Sequence, residues 1–373
     1  MEKSSKIVIT GSNGFIGKNL NVRLKSLGFN NIYNFSRDSD INELKEELED
    51  SKFIFHLAGV NRPKDDKEFI DINLGLTTKI IEFIENQTNK IPILFSSSIQ
   101  ANKTTPYGIS KKHAEDEIFS YAKRNNVKHY VYRLTNVFGK WSKPNYNSVV
   151  ATFCNNIANG ISINITNRET QLELSYIDDV IDSFIASLHG EEFRDGKFCI
   201  VERTTKTTLG YLADKINEFN QSRHNLIIPS LVNSFDRQLY ATFLSFLPDT
   251  KFSYYLNKKE DDRGWLAEFI KSQSFGQIFI SKTKPGITRG NHWHQTKVEK
   301  FLVINGKATI NFKNAITNET VKYDVDGEKP EVVDIPPGYI HSIKNSGHEK
   351  LITLFWACEM FDSEKPDTYN GDF

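Results

Sequence analysis

The chain has 373 residues, with 47 basic and 47 acidic side chains and therefore no formal net charge. This balance does not favour a nucleic acid or an anionic membrane as the main partner. The three cysteines are far apart and odd in number, and no apolar run is long enough to cross a bilayer. We therefore expect a cytoplasmic protein with no leader peptide, whose thiols are free and inert.

Short apolar strands alternate with helical patterns along the first part of the chain. The pattern predicts strands at 6–10, 31–35, 53–57, 91–96 and 129–134, and helices at 14–27, 77–85 and 110–124. Strands that alternate with helices form parallel sheets. We therefore predict a Rossmann-type, doubly wound parallel sheet in an α/β domain of residues 1–248.

After about residue 250 the pattern changes to short β segments. Strands are predicted at 265–271, 277–282, 300–304, 307–312, 331–335 and 351–356. The dipeptide Asn305-Gly306 separates two of them, and Asn-Gly favours the positive backbone angles of a type I′ hairpin. We predict an all-β second domain of residues 249–373 in which these two strands form a hairpin.

The segment Gly11-Ser-Asn-Gly14-Phe-Ile-Gly17 follows the first predicted strand and opens the first predicted helix. Glycines at this spacing allow a tight turn, close approach of a pyrophosphate and close packing of helix on strand. The amides at the start of the helix then face the phosphates. In this context the turn predicts a dinucleotide site, the alternative being a tight turn without a ligand.

Arg37 lies just past the second predicted strand, where a dinucleotide-binding domain contacts the adenosine ribose. Arginine at that point accommodates the 2′-phosphate of NADP, whereas an acidic residue favours NAD. Asp38 is adjacent and weakens the distinction. We predict NADPH as the cofactor, with NAD as the alternative.

Tyr107 and Lys111 are four residues apart at the start of a predicted helix, so their side chains share one face. A free tyrosine has a pKa near 10, and a neighbouring ammonium and an oxidised nicotinamide would lower it. Tyr107 would then serve as the general acid for a ketone that receives hydride. Ser98, at the end of the preceding strand, would hold the substrate oxygen. Ser97 is the alternative, because three serines stand in a row.

As a set, these residues resemble the extended short-chain dehydrogenase/reductase family, and the resemblance covers about residues 1–245. Further matches are His56, the pair Asn73 and Thr77, the segment Arg133–Gly139, and Tyr176–Val180. The resemblance implies that Ser98, Tyr107 and Lys111 carry catalysis. It implies a cofactor site formed by Gly11, Gly14, Phe15, Ile16, Gly17, Arg37, Leu57, Ala58, Gly59, Asn73, Tyr107 and Lys111.

A polar segment follows the last strand predicted in the parallel sheet. Its candidates for contact with a substrate diphosphate are Lys140, Lys143, Asn145 and Tyr146. The alternative is a solvated loop.

Three histidines and a glutamate in the second domain are spaced as metal ligands: His292, His294, Glu299 and His341. Residues 292 and 294 alternate by two on a strand, so both imidazoles face the same side. Glu299 and His341 can come from neighbouring strands. Mixed nitrogen and oxygen ligands suit Zn²⁺, with iron, manganese or nickel as alternatives. An open coordination position would let such an ion polarise a carbonyl group.

Around these residues the chain resembles the cupin family, which implies an all-β cupin barrel. The segment from Gly286 to Gly306 matches the first cupin motif, and that from Pro336 to Asn345 matches most of the second. The segments around Arg263 and Arg289 also resemble the metal-free dTDP-sugar 3,5-epimerases, in which the histidine at position 292 would be the base. Trp356 lies where those enzymes have a catalytic tyrosine. This difference, with His294 and Glu299, favours the metal.

Taken whole, the chain resembles a family of capsule-biosynthesis enzymes that fuse such a reductase to a cupin. The resemblance implies a homodimeric, bifunctional enzyme of UDP-N-acetyl-L-fucosamine synthesis. The cupin domain would epimerise C3 of UDP-2-acetamido-2,6-dideoxy-L-4-hexulose. The reductase domain would then reduce the C4 ketone with NADPH, giving UDP-2-acetamido-2,6-dideoxy-β-L-talose.

Three alternatives stay open. The cupin domain is a structural or dimerising module of a simple 4-keto sugar reductase, or the chain is a UDP-sugar C4 epimerase that recycles NAD. The third is an NADP-sensing regulator, which the presence of Ser98, Tyr107 and Lys111 together disfavours.

Overall fold

The structure, a computed structural model, describes residues 1–61, residue 65 and residues 68–373. They divide into two compact units, residues 1–216 with 233–248, and residues 217–232 with 249–373. The last break falls between residues 248 and 249, and residues 217–232 group with the C-terminal unit. None of the helices in the described part of the chain is both long and apolar enough to cross a membrane.

A seven-stranded, mostly parallel sheet forms the centre of the N-terminal unit. Its order is β2-β1-β3-β4-β5-β9-β8, and only β8 runs antiparallel to its neighbour. The strands are β1 (Ile7–Thr10), β2 (Ile32–Phe35), β3 (Phe53–His56), β4 (Ile93–Ser98), β5 (His129–Leu134), β8 (Arg194–Asp195) and β9 (Phe198–Cys199). The predicted parallel α/β sheet is confirmed.

Helices cover both faces of this sheet, because the strands are apolar on both sides. Along β1, Ile7 and Ile9 face one hydrophobic cluster, whereas Val8 faces the other. The helices of the described chain are α1 (Phe15–Ser26), α2 (Ile41–Glu49), α3 (Gly75–Glu85), α4 (Pro106–Asn125), α5 (Val149–Ala158), α6 (Ile177–His189), α7 (Leu209–Asn225) and α8 (Ser234–Leu244), with short helical turns at Phe69–Leu74, Ile99–Asn102 and, in the C-terminal unit, Asp249–Lys251. Buried residues of α1 and α6 pack on the first cluster, and those of α2, α3 and α4 on the second.

The strands of a second, small sheet alternate along the chain with the last strands of the main one. It contains β6 (Asn136–Phe138), β7 (Gln171–Tyr176) and β10 (Thr205–Thr208) in the order β10-β7-β6. The segment between β6 and α5 contains two residues in left-handed backbone conformations, Trp141 and Asn145. Non-glycine residues rarely adopt that conformation, which is concentrated at turns and functional sites.

In the C-terminal unit, two antiparallel sheets form from strands after residue 257, which confirms the all-β prediction for this part of the chain. One has the order β11-β12-β13-β20-β15-β18 and the other β17-β16-β19-β14-β21. The strands are β11 (Lys258–Asp261), β12 (Gly264–Ser272), β13 (Gly276–Thr283), β14 (Thr288–Trp293), β15 (Glu299–Asn305), β16 (Lys307–Asn314), β17 (Thr320–Asp326), β18 (Val332–Ile335), β19 (Tyr339–Asn345), β20 (Leu351–Ala357) and β21 (Tyr369–Asn370).

The hairpin predicted at Asn305-Gly306 is wrong. The two strands that flank it exist, but β15 pairs with β18 and β20, whereas β16 pairs with β17 and β19. Gly306 has φ +88°, so the chain does turn there. The turn carries the chain from one sheet to the other, because each strand buries its apolar side chains in the core between the sheets.

Candidate functional site

The glycine-rich turn lies between β1 and α1, against the end of β3. Gly11 has φ +69°, and a Cβ there would lie 2.7 Å from the Ala58 nitrogen. A Cβ on Gly17 would lie 2.4 Å from the Gly11 carbonyl oxygen. Gly14 precedes the first residue of α1, where amide groups have no intrahelical acceptor. A side chain at Gly11 or Gly17 would clash with these atoms, so both positions require glycine. Without side chains at these two positions, the amide groups at the start of α1 can face a phosphate group.

The loop after β3 connects the turn to the proposed catalytic lysine. A Cβ on Gly59 would lie 3.1 Å from both the Asn73 Oδ1 and the Lys111 Nζ. Asn73 is fully buried and bonded to the protein: its Oδ1 accepts from the Val60 amide at 2.8 Å, and its Nδ2 donates to the Ser110 hydroxyl at 3.1 Å. Asn73 therefore contributes to the predicted cofactor site by holding this loop.

The remaining predicted cofactor residues surround the same edge of the sheet. Phe15, Ile16 and Leu57 are partly buried against the core cluster beneath the turn. Arg37 lies two residues past β2 and is exposed, as is the neighbouring Asp38. Both side chains are thus available at the position expected to contact the ribose.

Tyr107 lies in the first turn of α4 beside the end of β4. Its hydroxyl is near enough to the Ser98 side chain for Ser98 to affect its pKa. Burial raises the pKa of Tyr107 to about 12, although Ser98 acts in the opposite direction. The sequence predicts that a neighbouring ammonium lowers this pKa. Burial is instead the largest cause of the shift, so Tyr107 holds its proton at neutral pH.

Lys111 is buried one helical turn beyond Tyr107. Its Nζ donates to the Ser96 carbonyl oxygen at 3.0 Å and lies 4.6 Å from the centre of the Phe95 ring. Burial lowers the pKa of Lys111 to about 8, and the Glu115 carboxylate partly opposes this effect. A lysine with such a pKa can exchange protons near neutrality.

Ser97 and Ser98 face different partners, because successive side chains of a strand point to opposite sides. The Ser97 hydroxyl donates to Glu115 Oε1 at 2.6 Å, and Ser98 faces Tyr107. Glu115 is fully buried and accepts from Arg133 Nε at 2.8 Å and from Nη2 at 2.6 Å. Glu115 is not among the residues predicted from the sequence. Its position four residues after Lys111, on the same helix face, was the available signal.

A cavity of about 500 Å³ lies beside the segment between β6 and α5. Asn145 and Tyr146 line it, and Tyr146 is close enough to Tyr107 to affect its pKa. The other two candidates of this segment have protein partners. Lys140 donates to Asp178 Oδ1 at 2.6 Å, and the Lys143 ammonium lies 5.5 Å from the Tyr146 ring.

The four predicted metal ligands come together in the C-terminal unit. One ligand atom from each of His292, His294, Glu299 and His341 lies within 4.8 Å of the others. The Glu299 Oε2 is 3.3 Å from the His294 Nε2 and 3.5 Å from the His341 Nε2. The cluster draws on β14, β15 and β19, with His294 just past the end of β14.

Backbone carbonyl groups orient two of the imidazoles. The Nδ1 of His294 bonds the Asp367 carbonyl oxygen, and the Nδ1 of His341 bonds that of Tyr339 at 3.2 Å. Both Nε2 atoms are buried and, among the described residues, form no hydrogen bond of normal geometry. Carbonyl groups that hold one ring nitrogen and leave the other bare are typical of metal-ligating histidines.

The charge states of the cluster also suit a cation. Burial, with His341 next, lowers the pKa of His292 to about 4. Burial alone would raise the pKa of Glu299, but the adjacent His294 and His341 imidazoles lower it to about 2. A neutral imidazole and a carboxylate are the forms that bind metal. The residues present therefore fit a divalent ion.

A bulge in β14 places Arg289 on the same side of the sheet as His292. Arg289 pairs with Ile343 and His292 with His341, and the register shifts between Gly290 and His292. Arg289 Nε donates to the Thr283 hydroxyl at 3.0 Å, whereas its buried Nη2 has no hydrogen-bond partner among the described residues. The Ser281 and Thr353 hydroxyls, on a directly paired position of β13 and β20, are likewise buried without one.

Known proteins are similar to this chain over its whole length. Residues 7–197 match the model of the NAD dependent epimerase/dehydratase family, and residues 259–369 match that of the polysaccharide biosynthesis C-terminal domain. The crystal structure of the capsular polysaccharide assembling protein CapF from Staphylococcus aureus is 44% identical, with a TM-score of 0.94 over 99% of this chain and 100% of that one. The chain belongs to the CapF family.

Two further relatives extend the comparison. The UDP-2-acetamido-2,6-beta-L-arabino-hexul-4-ose reductase of Pseudomonas aeruginosa is 41% identical over 364 residues, 98% of each chain. The Bordetella bronchiseptica enzyme WbmF, crystallised with NAD⁺ and UDP, is 19% identical, with a TM-score of 0.55 over 65% of this chain and 92% of that one. At that identity WbmF shares the fold of the N-terminal unit with this CapF-family chain.

Proposed function

We propose that this CapF-family protein is a bifunctional nucleotide-sugar enzyme that acts on UDP-2-acetamido-2,6-dideoxy-L-4-hexulose. The C-terminal unit epimerises C3, and the N-terminal unit reduces the C4 ketone with NADPH to give UDP-2-acetamido-2,6-dideoxy-β-L-talose. The Ser98–Tyr107 pair beside buried Lys111 carries the reductase assignment. The activity named for the P. aeruginosa relative supports it. A homodimer in the cytoplasm stays a prediction.

In the reductase site, Tyr107 is the general acid. NADPH, when bound, supplies the hydride. Tyr107 keeps its proton because burial raises its pKa to about 12, and it donates that proton to the C4 oxygen while the Ser98 hydroxyl holds the same oxygen. Lys111, on the same helix face with a pKa of about 8, returns a proton to Tyr107.

In the C-terminal unit, His292, His294, Glu299 and His341 would hold a Zn²⁺ ion, with other divalent metals as alternatives. Such an ion, when bound, supplies a Lewis acid for the ketone oxygen. The C4 ketone acidifies the proton on C3, which leaves from one face and returns to the other. His292 is neutral at pH 7, because burial lowers its pKa to about 4, and that form suits either a ligand or a base.

The buried polar atoms near Arg289 suit the charged part of the same substrate. Arg289 Nη2 is a donor, and the Ser281 and Thr353 hydroxyls can donate as well. The partners of Arg289 and His292 are two residues apart on β19, so the two side chains lie about 7 Å apart along the strand. Arg289 Nη2 is 3.9 Å from Asp261 Oδ1, which is beyond hydrogen-bond distance. A buried donor without an acceptor costs about 1–3 kcal/mol, which a diphosphate oxygen would offset.

The proposal is tested by NMR of the products formed from the UDP-4-keto sugar in deuterated water. Without NADPH, we expect deuterium at C3, and with NADPH we expect a C4 alcohol. The double variant His292→Ala, His294→Ala should lose the exchange at C3 but still oxidise NADPH when given the C3-epimerised ketone. If the double variant exchanges C3 at the wild-type rate, the C-terminal unit is only a scaffold.

A further inference from the structure

We propose that Asp367 is the positioning residue of the His/Glu cluster, acting through the turn that joins His294 to Glu299. This inference rests on the proposed metal site. Asp367 lies 68 residues beyond Glu299 in the numbering, in the C-terminal segment rather than in either metal-binding motif. Two of its groups, the side-chain carboxylate and the backbone carbonyl, bond the same short turn.

The carboxylate accepts hydrogen bonds from the backbone amides of three consecutive turn residues. Its Oδ1 accepts from the Gln295 amide at 2.9 Å, and its Oδ2 accepts from the Thr296 and Lys297 amides, each at 2.8 Å. The Thr296 hydroxyl adds a fourth donor at 2.9 Å. Residues 294–298 belong to neither β14 nor β15, and backbone bonds hold the two ends of the segment, from the Gly338 amide to the His294 carbonyl oxygen and from the Cys358 amide to that of Val298. Asp367 holds the three residues between them, through charge-assisted bonds that are stronger than neutral ones.

The backbone carbonyl of Asp367 fixes the orientation of the His294 ring. It bonds the Nδ1, which must then carry the proton, because a carbonyl oxygen only accepts. In the neutral ring the Nε2 is then the bare nitrogen, and it lies 3.3 Å from the Glu299 Oε2. A shift of residue 367 would release the ring and allow the proton to move to Nε2, where it blocks metal binding.

The segment that carries Asp367 is itself attached to the cluster strand. β21 pairs with β14, with Asn370 opposite His292 and Tyr369 opposite Trp293. The Tyr369 and Trp293 ring centres are 5.0 Å apart. The C-terminal segment thus pairs with β14 at His292 and, through Asp367, also bonds the turn that follows β14.

The test compares Asp367→Ala with Asp362→Ala. Asp362 is exposed in the same C-terminal segment and accepts from the Glu364 amide at 2.8 Å, a bond within that segment. Zn²⁺ affinity is measured by competition with a chromogenic chelator. We expect Asp367→Ala to bind Zn²⁺ about 10- to 100-fold more weakly, as for losses in the shell that orients ligands, and Asp362→Ala to match the wild type. A wild-type affinity in Asp367→Ala overturns the proposal.

A second readout needs no metal. In ¹⁵N-histidine spectra of the metal-free protein at one pH, His294 should carry its proton on Nδ1 in the wild type and Asp362→Ala. Asp367→Ala should show a mixture of tautomers, and an unchanged His294 signal overturns the proposal. If the wild type binds no zinc, the proposed metal site is contradicted, but this spectrum still decides whether Asp367 orients His294. If Asp367→Ala does not fold, Asp367→Asn must show the same changes to a smaller extent, and wild-type behaviour in that variant is equally decisive.

Discussion

Burial alters the proton affinity of several functional side chains in this protein. It raises the pKa of Tyr107 to about 12 and lowers the pKa of Lys111 to about 8 and that of His292 to about 4. In each case the low dielectric disfavours the charged form. The free protein therefore keeps a protonated tyrosine and a neutral histidine at pH 7, the forms that the proposed reactions require.

The two serines at the end of β4 should respond differently to removal of the hydroxyl. Ser98→Ala removes the partner of Tyr107, so we expect turnover of the 4-keto sugar to fall about 10- to 1,000-fold, as for the loss of one transition-state donor. Ser97→Ala instead leaves buried Glu115 with one donor fewer and should lower stability by about 1–3 kcal/mol with a smaller loss of turnover. NADPH oxidation and urea unfolding measure the two effects. The reverse pattern would make Ser97 the catalytic serine.

His56 should make stability depend on pH. It is fully buried between the hydroxyls of Thr10 and Thr77, and burial, with Lys111 next, lowers its pKa to about 3. The unfolded chain, with a histidine pKa near 6.5, binds a proton that the folded chain excludes. The contribution of His56 to the free energy of unfolding is therefore fully present above pH 6.5. It decreases as the pH falls towards 3, by up to about 1.4 kcal/mol per pH unit.

The matched variant for this effect is His56→Gln, which cannot titrate. The free energy of unfolding of the wild type, minus that of the variant, should decrease as the pH falls from 6.5 to 4. A constant difference across that range would contradict a buried, neutral His56. Urea unfolding at a series of pH values measures it.

At the scale of elements, the bulge in β14 brings Arg289 and His292 to one side of the sheet. Gly290 has φ +96°, and a Cβ there would lie 2.8 Å from the His341 carbonyl oxygen, whereas Gly286, with φ +76°, has nothing within 4 Å. Gly286→Ala should cost about 1–2 kcal/mol from the left-handed conformation alone. Gly290→Ala should cost about 1–3 kcal/mol more, because the backbone of β19 must move.

Gly290→Ala should also weaken Zn²⁺ binding, because His341 moves with β19, whereas Gly286→Ala should not. Thermal unfolding and chelator competition compare the two variants. Equal losses of stability, or intact Zn²⁺ binding in Gly290→Ala, would show that the bulge does not position the cluster.

Several elements were predictable because local pattern decides them. The strands of the parallel sheet and the glycine turn follow from apolar runs and from φ-permissive residues, and the structure has them within a few residues of the expected bounds. The hairpin at Asn305-Gly306 failed because the choice of pairing partner depends on which core a strand covers. β14 and β19 were expected from the spacing of the ligands but without bounds, because the polar residues of the cluster obscure the alternation. β17 was missed, because its exposed positions obscure the alternation there.

At the scale of the whole molecule, the two proposed sites belong to different compact units. NADPH should slow amide hydrogen exchange in residues 11–17 and 57–59, and Zn²⁺ should slow it in residues 292–299 and 339–345. A ligand that binds only the folded state raises the free energy of local opening, by about 2.7 kcal/mol at 100-fold excess over its Kd. Hydrogen exchange read by mass spectrometry tests this, and protection at the opposite site from that expected would contradict the assignment.

The sequence by itself determined which residue types are available and where along the chain they lie. Gly11, Tyr107, Lys111 and the His/Glu set were recognisable because their chemistry and spacing are local properties. Only the tertiary structure decided that Ser98 rather than Ser97 faces Tyr107 and that Glu115 bonds Ser97 and Arg133. It also decided that Asp367 holds the turn after His294. These contacts join residues that are distant in sequence. They depend on strand register, on a bulge and on burial, and a local sequence pattern contains none of these.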